Sequence, residues 1–192
     1  MRRALRLCRP ALDAVPPRPA ATPSRALRRG DGGHYVTEAV TRACRRGRAE
    51  DVATAASQLL AASRSLDVES CVFALNRLAH EGAYADARFW GAAAEALAPR
   101  VPEMEGGLLG VAANAFSRAG VRAPLLMRAI SARVLTDLHD VPVSSATLLL
   151  NAAGADGDLH QRVVGHLAGR LPEMNGQDAA LFLSALGTTG RG

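Results

Sequence analysis

The stretch LLGVAANAFSRAGVRAPLLMRAI, residues 108–130, contains the pattern that decides the fold. Within it, Leu109, Ala113 and Phe116 follow the spacing i, i+4, i+7, which places them on one side of an α-helix. Gly120 follows four residues after Phe116, and a glycine in that place is typical of a helix that ends in the left-handed conformation. A second apolar run begins a few residues later. The stretch therefore predicts two helices joined by a short turn.

The same pattern recurs along the chain, which indicates a repeat protein. A polar anchor residue is followed six residues later by glycine in five places, and the anchors are Thr41, Asn76, Asn114, Asn151 and Ser184. Apolar residues stand five before, one before and two after each anchor. These fifteen residues are Val36, Val40, Ala43, Cys71, Leu75, Leu78, Leu109, Ala113, Phe116, Ala146, Leu150, Ala153, Ala179, Leu183 and Leu186.

A second set of anchors repeats with the same periods and lies behind its own helical stripes. Its members are Leu66, Val101, Leu138 and Leu171. Each repeat is therefore a pair of helices, and the first pair is the weakest because the polar Gln58 occupies the middle of its stripe. The predicted helices are roughly 35–46, 49–64, 68–80, 84–99, 105–118, 122–138, 143–154, 158–169 and 175–187. We expect an all-α fold, an α-solenoid of about four and a half antiparallel helical-hairpin repeats.

The basic charge of the chain is concentrated at its N-terminus. Residues 1–33 hold eight Arg and two Asp, a balance of +6, whereas the remainder holds 15 Arg and 16 acidic residues, a balance of −1. The high isoelectric point therefore describes the N-terminal segment, and a broad nucleic-acid-binding surface on the body is not indicated. Aromatic residues make up only 4% of the chain, which suits closely packed helices better than a β-sandwich.

Residues 1–33 have the composition of a mitochondrial targeting leader. They are rich in Arg, Ala and Pro and poor in acid, with Arg2, Arg6 and Arg9 on one helical face beside Leu5. The prediction is a leader over residues 1–33, disordered or cleaved, followed by the helical-repeat body over residues 34–192 in the mitochondrial matrix. A merely disordered basic tail is the alternative. No uncharged stretch is long enough to suggest a membrane span.

Residues 108–130 and HLAGRLPEMNGQDAALFLSALGTTG, residues 166–190, resemble heptatricopeptide-type organellar repeats of about 37 residues. These repeats are related to RAP-domain and FAST-kinase-like mitochondrial proteins. The resemblance covers residues 66–190 well and residues 35–65 loosely. It implies a mitochondrial protein of RNA metabolism or of the mitochondrial ribosome. The partners that it implies are other subunits of a large mitochondrial assembly and ribosomal or other mitochondrial RNA.

If RNA is bound, arginine must bind it, by pairing with phosphates or stacking on bases. The residues four after each anchor are Arg45, His80, Arg118, Ala155 and Thr188, so a basic ridge extends over three repeats and then fades. Alternatively, these arginines complement helix dipoles and solubilise an Ala-rich surface. The candidate RNA-binding residues are Arg42, Arg45, Arg46, Arg48, Arg77 and Arg118.

The last predicted helix is more apolar than a single buried stripe requires. We expect it to form a protein interface through Leu181, Phe182, Leu183 and Leu186, because a repeat array normally shields its terminal unit with a polar face. The alternatives are a cap formed by the preceding loop and an array that is truncated at this point.

No residue pattern indicates catalysis, a metal site, a cofactor or a small-molecule substrate. The five histidines have no metal-ligand spacing, and no phosphate-binding loop or nucleophile motif is present. Two functions remain. One is a non-catalytic component of a mitochondrial ribonucleoprotein, and the other is a structural accessory subunit of an inner-membrane complex, such as ATP synthase or the respiratory chain, without RNA contact.

Overall fold

The computed structural model describes residues 31–80, 86–153 and 157–189. Over these residues it contains α-helices and short 3₁₀ turns and no strand, which confirms the all-α prediction. The nine helices described are α1 (Asp31–Arg46), α2 (Ala49–Ala62), α3 (Val68–His80), α4 (Ala87–Leu97), α5 (Gly106–Arg118), α6 (Pro124–Thr136), α7 (Val143–Ala153), α8 (Gly157–Ala168) and α9 (Gly176–Thr189). The first and last residues of each helix lie within four residues of the predicted ones.

Three helices begin at a side chain that accepts a hydrogen bond from the first turn. Asp67 Oδ1 accepts from the backbone nitrogen of Ser70 at 2.7 Å, Asp86 Oδ1 from that of Arg88 at 2.8 Å, and Asn175 Oδ1 from that of Asp178 at 2.9 Å. Such N-caps satisfy amide groups that have no partner within the helix. The polar residues before the apolar stripes therefore fix where α3, α4 and α9 start.

Glycine ends α1 and α5 in the predicted manner. Gly47 and Gly120 have φ values of 64° and 69°, in the left-handed region that side chains with a Cβ atom disfavour. The amide of Gly120 bonds to the carbonyl of Ser117, and the amide of Val121 bonds to that of Phe116. The predicted terminator Gly157 instead begins α8, and the other two, Gly82 and Gly190, lie outside the described residues.

The helices form two layers. In one layer α1 packs on α3, α3 on α5, α5 on α7 and α7 on α9; in the other, α2 packs on α4, α4 on α6 and α6 on α8. The layers also contact each other within pairs, as α1 does with α2 and α7 with α8. The apolar residues between the layers form one continuous core.

Adjacent helices of the first layer meet at corresponding turns. The residue four before one anchor contacts the residue six before the next anchor in three junctions. Thr37 Oγ1 donates to the carbonyl of Ser70 at 3.4 Å, and Thr147 Oγ1 donates to Asp178 Oδ1 at the same distance. Gly110 donates to Ser145 Oγ at 2.9 Å. The helices in these junctions therefore run parallel in a repeated register.

Among the side chains that the structure describes, the predicted stripe is buried or half-buried in the first four helices of the first layer and exposed at Leu183 and Leu186 in α9. Leu75 and Leu150 are each 2% exposed, but Leu183 is 66% exposed. The stripe pattern predicts a buried residue at the position of Leu183, and at this position it is wrong, because no helix in the described part of the chain lies beyond α9. Leu171 of the second anchor set is similarly 52% exposed.

The stripe of α2 is displaced by one residue from the prediction. Gln58 is exposed, whereas Leu59 is 1% exposed and packs in the core with Ala56. The buried face of α2 is therefore set by Leu59 and not by Gln58, its polar neighbour in the predicted stripe.

Candidate functional site

The predicted arginine cluster lies at the end of α1 and in the turn that follows. Arg42, Arg45, Arg46 and Arg48 are all exposed. Arg42 forms an ion pair of 2.7 Å with Glu38, and Arg46 lies 4.0 Å from Asp51. Exposed pairs of this kind stabilise a fold by little, about 0 to 1 kcal/mol, but each carboxylate offsets the positive charge available to a partner.

Three of the candidate arginines have no acidic partner within the part of the chain that the structure describes. Arg45, Arg48 and Arg118 are exposed and form no ion pair with any residue that the structure describes. Arg45 and Arg118 occupy the last turns of α1 and α5, where a positive charge also complements the helix dipole. These three residues are the best-placed cationic groups of the predicted set.

The predicted ridge is continuous only in part. His80, the last residue of α3, is exposed like Arg45 and Arg118. Ala155 lies outside the described residues, as does the side chain of Thr188. Arg77 differs from the other candidates because its side chain is half-buried. It lies on the same face of α3 as Ser70 and Ala74, and Ser70 contacts α1. Arg77 is therefore less accessible to a partner than the other candidates.

Two further arginines, which the sequence analysis did not single out, connect successive hairpins at the opposite ends of the helices. Arg100 donates to the carbonyl of Ser63 at 2.8 Å and pairs with Glu103 at 2.9 Å. Arg170 donates to the carbonyl of Val141 at 3.1 Å and pairs with Glu173. The sequence contained a signal for both, because Arg100 and Arg170 directly precede two nearly identical segments, residues 101–104 (VPEM) and 171–174 (LPEM).

A pair of histidines lies next to Arg170. The rings of His139 and His166 are 6.2 Å apart and edge-to-face, and Arg170 Nη1 lies 3.0 Å from His166 Nε2. Partial burial lowers the pKa of His166, and the positive charge of Arg170 lowers it further against a backbone hydrogen bond at Val141 that raises it. Neutral imidazole is therefore favoured here, and its Nε2 can accept a hydrogen bond from the Arg170 guanidinium.

The predicted interface on α9 is reorganised in the structure. Phe182 is only 7% exposed and packs in the core, so its prediction as the centre of an accessible interface is wrong. Leu181 is half-buried, and its carbonyl accepts a hydrogen bond from Asn151 at 3.2 Å. Leu183 and Leu186 are 66% and 37% exposed. The apolar surface of α9 is therefore centred on Leu183.

The surface groove described by the structure offers little chemistry. A shallow groove of about 410 Å³ lies between α2 and α4, lined mainly by Ala and Leu with Ser63, Arg64 and Glu95 as its polar side chains.

Among the described residues, no three His, Cys, Asp or Glu side chains come together as a metal site. Within the same residues, none of the helices combines the length and the apolar character needed to cross a bilayer.

No protein-family model matches this chain, and neither a curated protein nor a solved structure matches it significantly.

Proposed function

We propose that this chain is a non-catalytic helical-repeat component of a mitochondrial ribonucleoprotein, either a subunit of the mitochondrial ribosome or a factor in its assembly or in RNA metabolism. It acts in the matrix by holding RNA and protein neighbours on its surfaces. The proposed architecture is an α-solenoid of about four and a half antiparallel hairpins. Its support is the two-layer helix order and the hydrogen bonds that repeat in one register at three junctions.

The observation that carries RNA contact is a set of exposed arginines that pair with no described acidic residue, namely Arg45, Arg48 and Arg118. Helices packed side by side lie about 8–10 Å apart, so two steps along the first layer place Arg45 and Arg118 roughly 16–20 Å from each other. Cations at this spacing can contact phosphates along one strand and release counterions. Arg48 extends the same end of the layer toward α2.

The mitochondrial assignment draws on two features of the sequence. Residues 1–33 have the composition of a targeting leader, and the hairpin segments resemble heptatricopeptide-type organellar repeats. The near-neutral body implies weak binding to RNA in isolation. Strong binding then requires additional basic subunits, as in a large ribonucleoprotein.

Sedimentation of the tagged protein from a mitochondrial extract tests this proposal. We expect it to migrate with a large particle and to be released by ribonuclease or by high salt, because phosphate contacts weaken steeply with ionic strength. A ribonuclease-treated sample containing an excess of inhibitor serves as the control. Migration that is unchanged by ribonuclease would contradict the proposal.

A second candidate is an accessory subunit of an inner-membrane complex without RNA contact. The observation that favours it is the charge of the body, 15 Arg against 16 acids, together with the pairing of Arg42 and Arg46 with acidic neighbours. In the sedimentation experiment, such a subunit would follow a membrane complex after ribonuclease treatment.

A further inference from the structure

Each middle helix of the first layer, α3, α5 and α7, has one side turned away from the second layer. In α5, Leu109 is buried in the core between the layers, and Gly110 bonds to α7. Successive residues advance by about 100° around a helix, so Val111 lies on nearly the opposite side from Leu109. Asn114 and Arg118 follow on that side, one turn and two turns later. We call this side of the first-layer helices the outer face.

One row of residues on the outer face is apolar from α3 onward. It consists of the residues three before each anchor, and its members are Phe73, Val111, Leu148 and Leu181. Phe73 is 44% exposed, and the other three are half-buried. In α1 the equivalent residue is Glu38, which forms an ion pair with Arg42, so the apolar row begins at α3. An aromatic ring is thus the most accessible member of this row, and such a ring can stack on a planar ligand.

The anchors form a second row, in which two side-chain amides have no partner among the described residues. Asn76 and Asn114 are half-buried, and neither side chain forms a hydrogen bond within that part of the chain, although their polar atoms reach solvent. Asn151 of α7 differs, because its Nδ2 donates to the carbonyls of Thr147 at 2.9 Å and Leu181 at 3.2 Å. The amides on α3 and α5 therefore remain able to donate to and accept from a ligand.

The third row of the outer face is the ridge of Arg45, His80 and Arg118, all of them exposed. A rise of about 1.5 Å per residue places this ridge about 6 Å from the anchors and about 10 Å from the apolar row. The helices beyond α3 in this layer offer no exposed acid to offset the ridge. The sequences of α5 and α7 contain no Asp or Glu, and the one acid of α9, Asp178, is 6% exposed. The outer face therefore presents positive charge, amides and an aromatic ring in that order along the helices.

We propose that single-stranded RNA crosses the outer face, with its phosphates on the ridge and its unpaired bases turned toward Phe73, Asn76 and Asn114. A nucleotide joins a charged phosphate to a base that has a hydrogen-bonding edge and a π face. These three features match the ridge, the amides and the ring. The inference rests on the proposed function and extends it, because the contacts described there are with phosphates alone.

An acidic amphipathic protein segment matches this face less well. Its carboxylates would pair with the ridge and its apolar side chains would cover Phe73, but neither group both donates to and accepts from the amides of Asn76 and Asn114. An RNA duplex also matches less well. Its bases are paired and stacked on each other, so the ring and the amides do not reach them.

Fluorescence anisotropy of the full 192-residue chain at about 50 mM salt tests this inference. The probes are labelled oligouridine and oligoadenosine of about 12 nucleotides and the duplex that the two form. We expect either single strand to bind more tightly than the duplex. Phe73→Ala and the milder Phe73→Leu should weaken single-strand binding about 5- to 100-fold, because the stacked ring is lost. The slope of log K against log salt should not change, since Phe73 contacts no phosphate. Asn114→Ala should change the ratio of the two single-strand affinities.

Leu125→Ala is the matched control, since Leu125 is 57% exposed on α6 in the second layer and its replacement should leave all three affinities unchanged. Circular dichroism verifies that the variants fold. The inference would be overturned if Phe73→Ala and Asn114→Ala left single-strand binding unchanged. If Arg45→Glu, Arg118→Glu still weakened that binding, the proposed RNA contact would stand without base contacts.

An amphipathic peptide of glutamate and leucine, measured in parallel, tests the other occupant of the outer face. Peptide binding that depends on Phe73, together with RNA binding that does not, would assign the outer face to a protein and overturn the inference. An unaltered chain that binds none of the three RNAs would contradict both this inference and the RNA contact on which it rests.

Discussion

The backbone nitrogen of Gly110 in α5 donates a hydrogen bond of 2.9 Å to the hydroxyl oxygen of Ser145 in α7. The same hydroxyl donates to the carbonyl of Gly106 at 2.8 Å. A Cβ atom added to Gly110 would lie 2.3 Å from the carbonyl oxygen of Ser145, so the absence of a side chain permits this approach. The contact belongs to the repeated register of the first layer and therefore fixes how the third and fourth hairpins meet.

Replacing Gly110 with alanine should destabilise the fold by about 1–3 kcal/mol, because the clash is with backbone and a buried hydrogen bond. Gly165→Ala is the matched control, since a Cβ there would meet nothing within 4 Å in the middle of α8. That change should stabilise by up to about 1 kcal/mol through helix propensity. Urea unfolding followed by the fluorescence of the buried Trp90 measures both, and equal effects would refute the close-packing account.

Arg100→Ala should lower the free energy of unfolding by about 1.5–3 kcal/mol, because the guanidinium joins the second hairpin to the carbonyl of Ser63 by a charged hydrogen bond. Arg162→Ala should cost about 0.5 kcal/mol or less, because Arg162 and Asp158 are exposed partners one turn apart in α8. Chemical unfolding of the two variants compares them. A similar loss in both would show that the link between hairpins contributes little.

Lowering the pH from about 7.5 to about 5.5 should reduce stability through His166. The pKa of His166 in the folded state lies below its ordinary value of 6.5, so the unfolded chain binds the proton more readily in this range. The contribution is complete above the unfolded pKa and is lost as the pH falls toward the folded one. His166→Gln should flatten the dependence of the urea midpoint on pH, and an unchanged slope would exclude this histidine as its source.

The thiol of Cys71 should react slowly with iodoacetamide in the folded protein. Burial raises its pKa from 9.0 to about 11, and the two-unit difference lowers the thiolate fraction about 100-fold near pH 8. Limited access to the buried sulfur slows alkylation further. Mass spectrometry of peptides alkylated with and without urea measures the protection. Alkylation of Cys71 at the unfolded rate in native protein would contradict the buried position.

The double variant Arg45→Glu, Arg118→Glu should weaken binding to single-stranded RNA and lower the salt dependence of the affinity. Two lost phosphate contacts reduce the slope of log K against log salt by about 1.4. Arg128→Glu, Arg162→Glu is the matched control, because it makes the same charge change on exposed positions of α6 and α8. Fluorescence anisotropy over a salt series measures the slopes. The same loss in both variants would indicate a general charge effect and not a ridge.

The helices themselves could be predicted because their signals are local. Capping residues such as Asn175, terminal glycines such as Gly120, and the i, i+4, i+7 spacing act within a few residues of each other along the chain. For the same reason, the recurrence of anchors at 33 to 38 residues predicted how the chain divides into pairs. The candidate arginines of α1 are likewise exposed, because Arg42, Arg45 and Arg46 lie off the apolar stripe of the helix.

The tertiary structure alone decided which of two adjacent helix faces is covered. Periodicity places Phe182 and Leu183 on neighbouring faces of α9. Phe182 is buried where α7 packs against the helix, whereas Leu183 lies on a face that remains exposed. The half-burial of Arg77 and the hydrogen bond from Arg100 to Ser63 also depend on tertiary structure. The contacts between α1 and α3, and between Arg100 and Ser63, join residues more than thirty positions apart in the sequence. Spacing along a helix determines which side chains share a face, whereas burial depends on the presence of a second helix against that face.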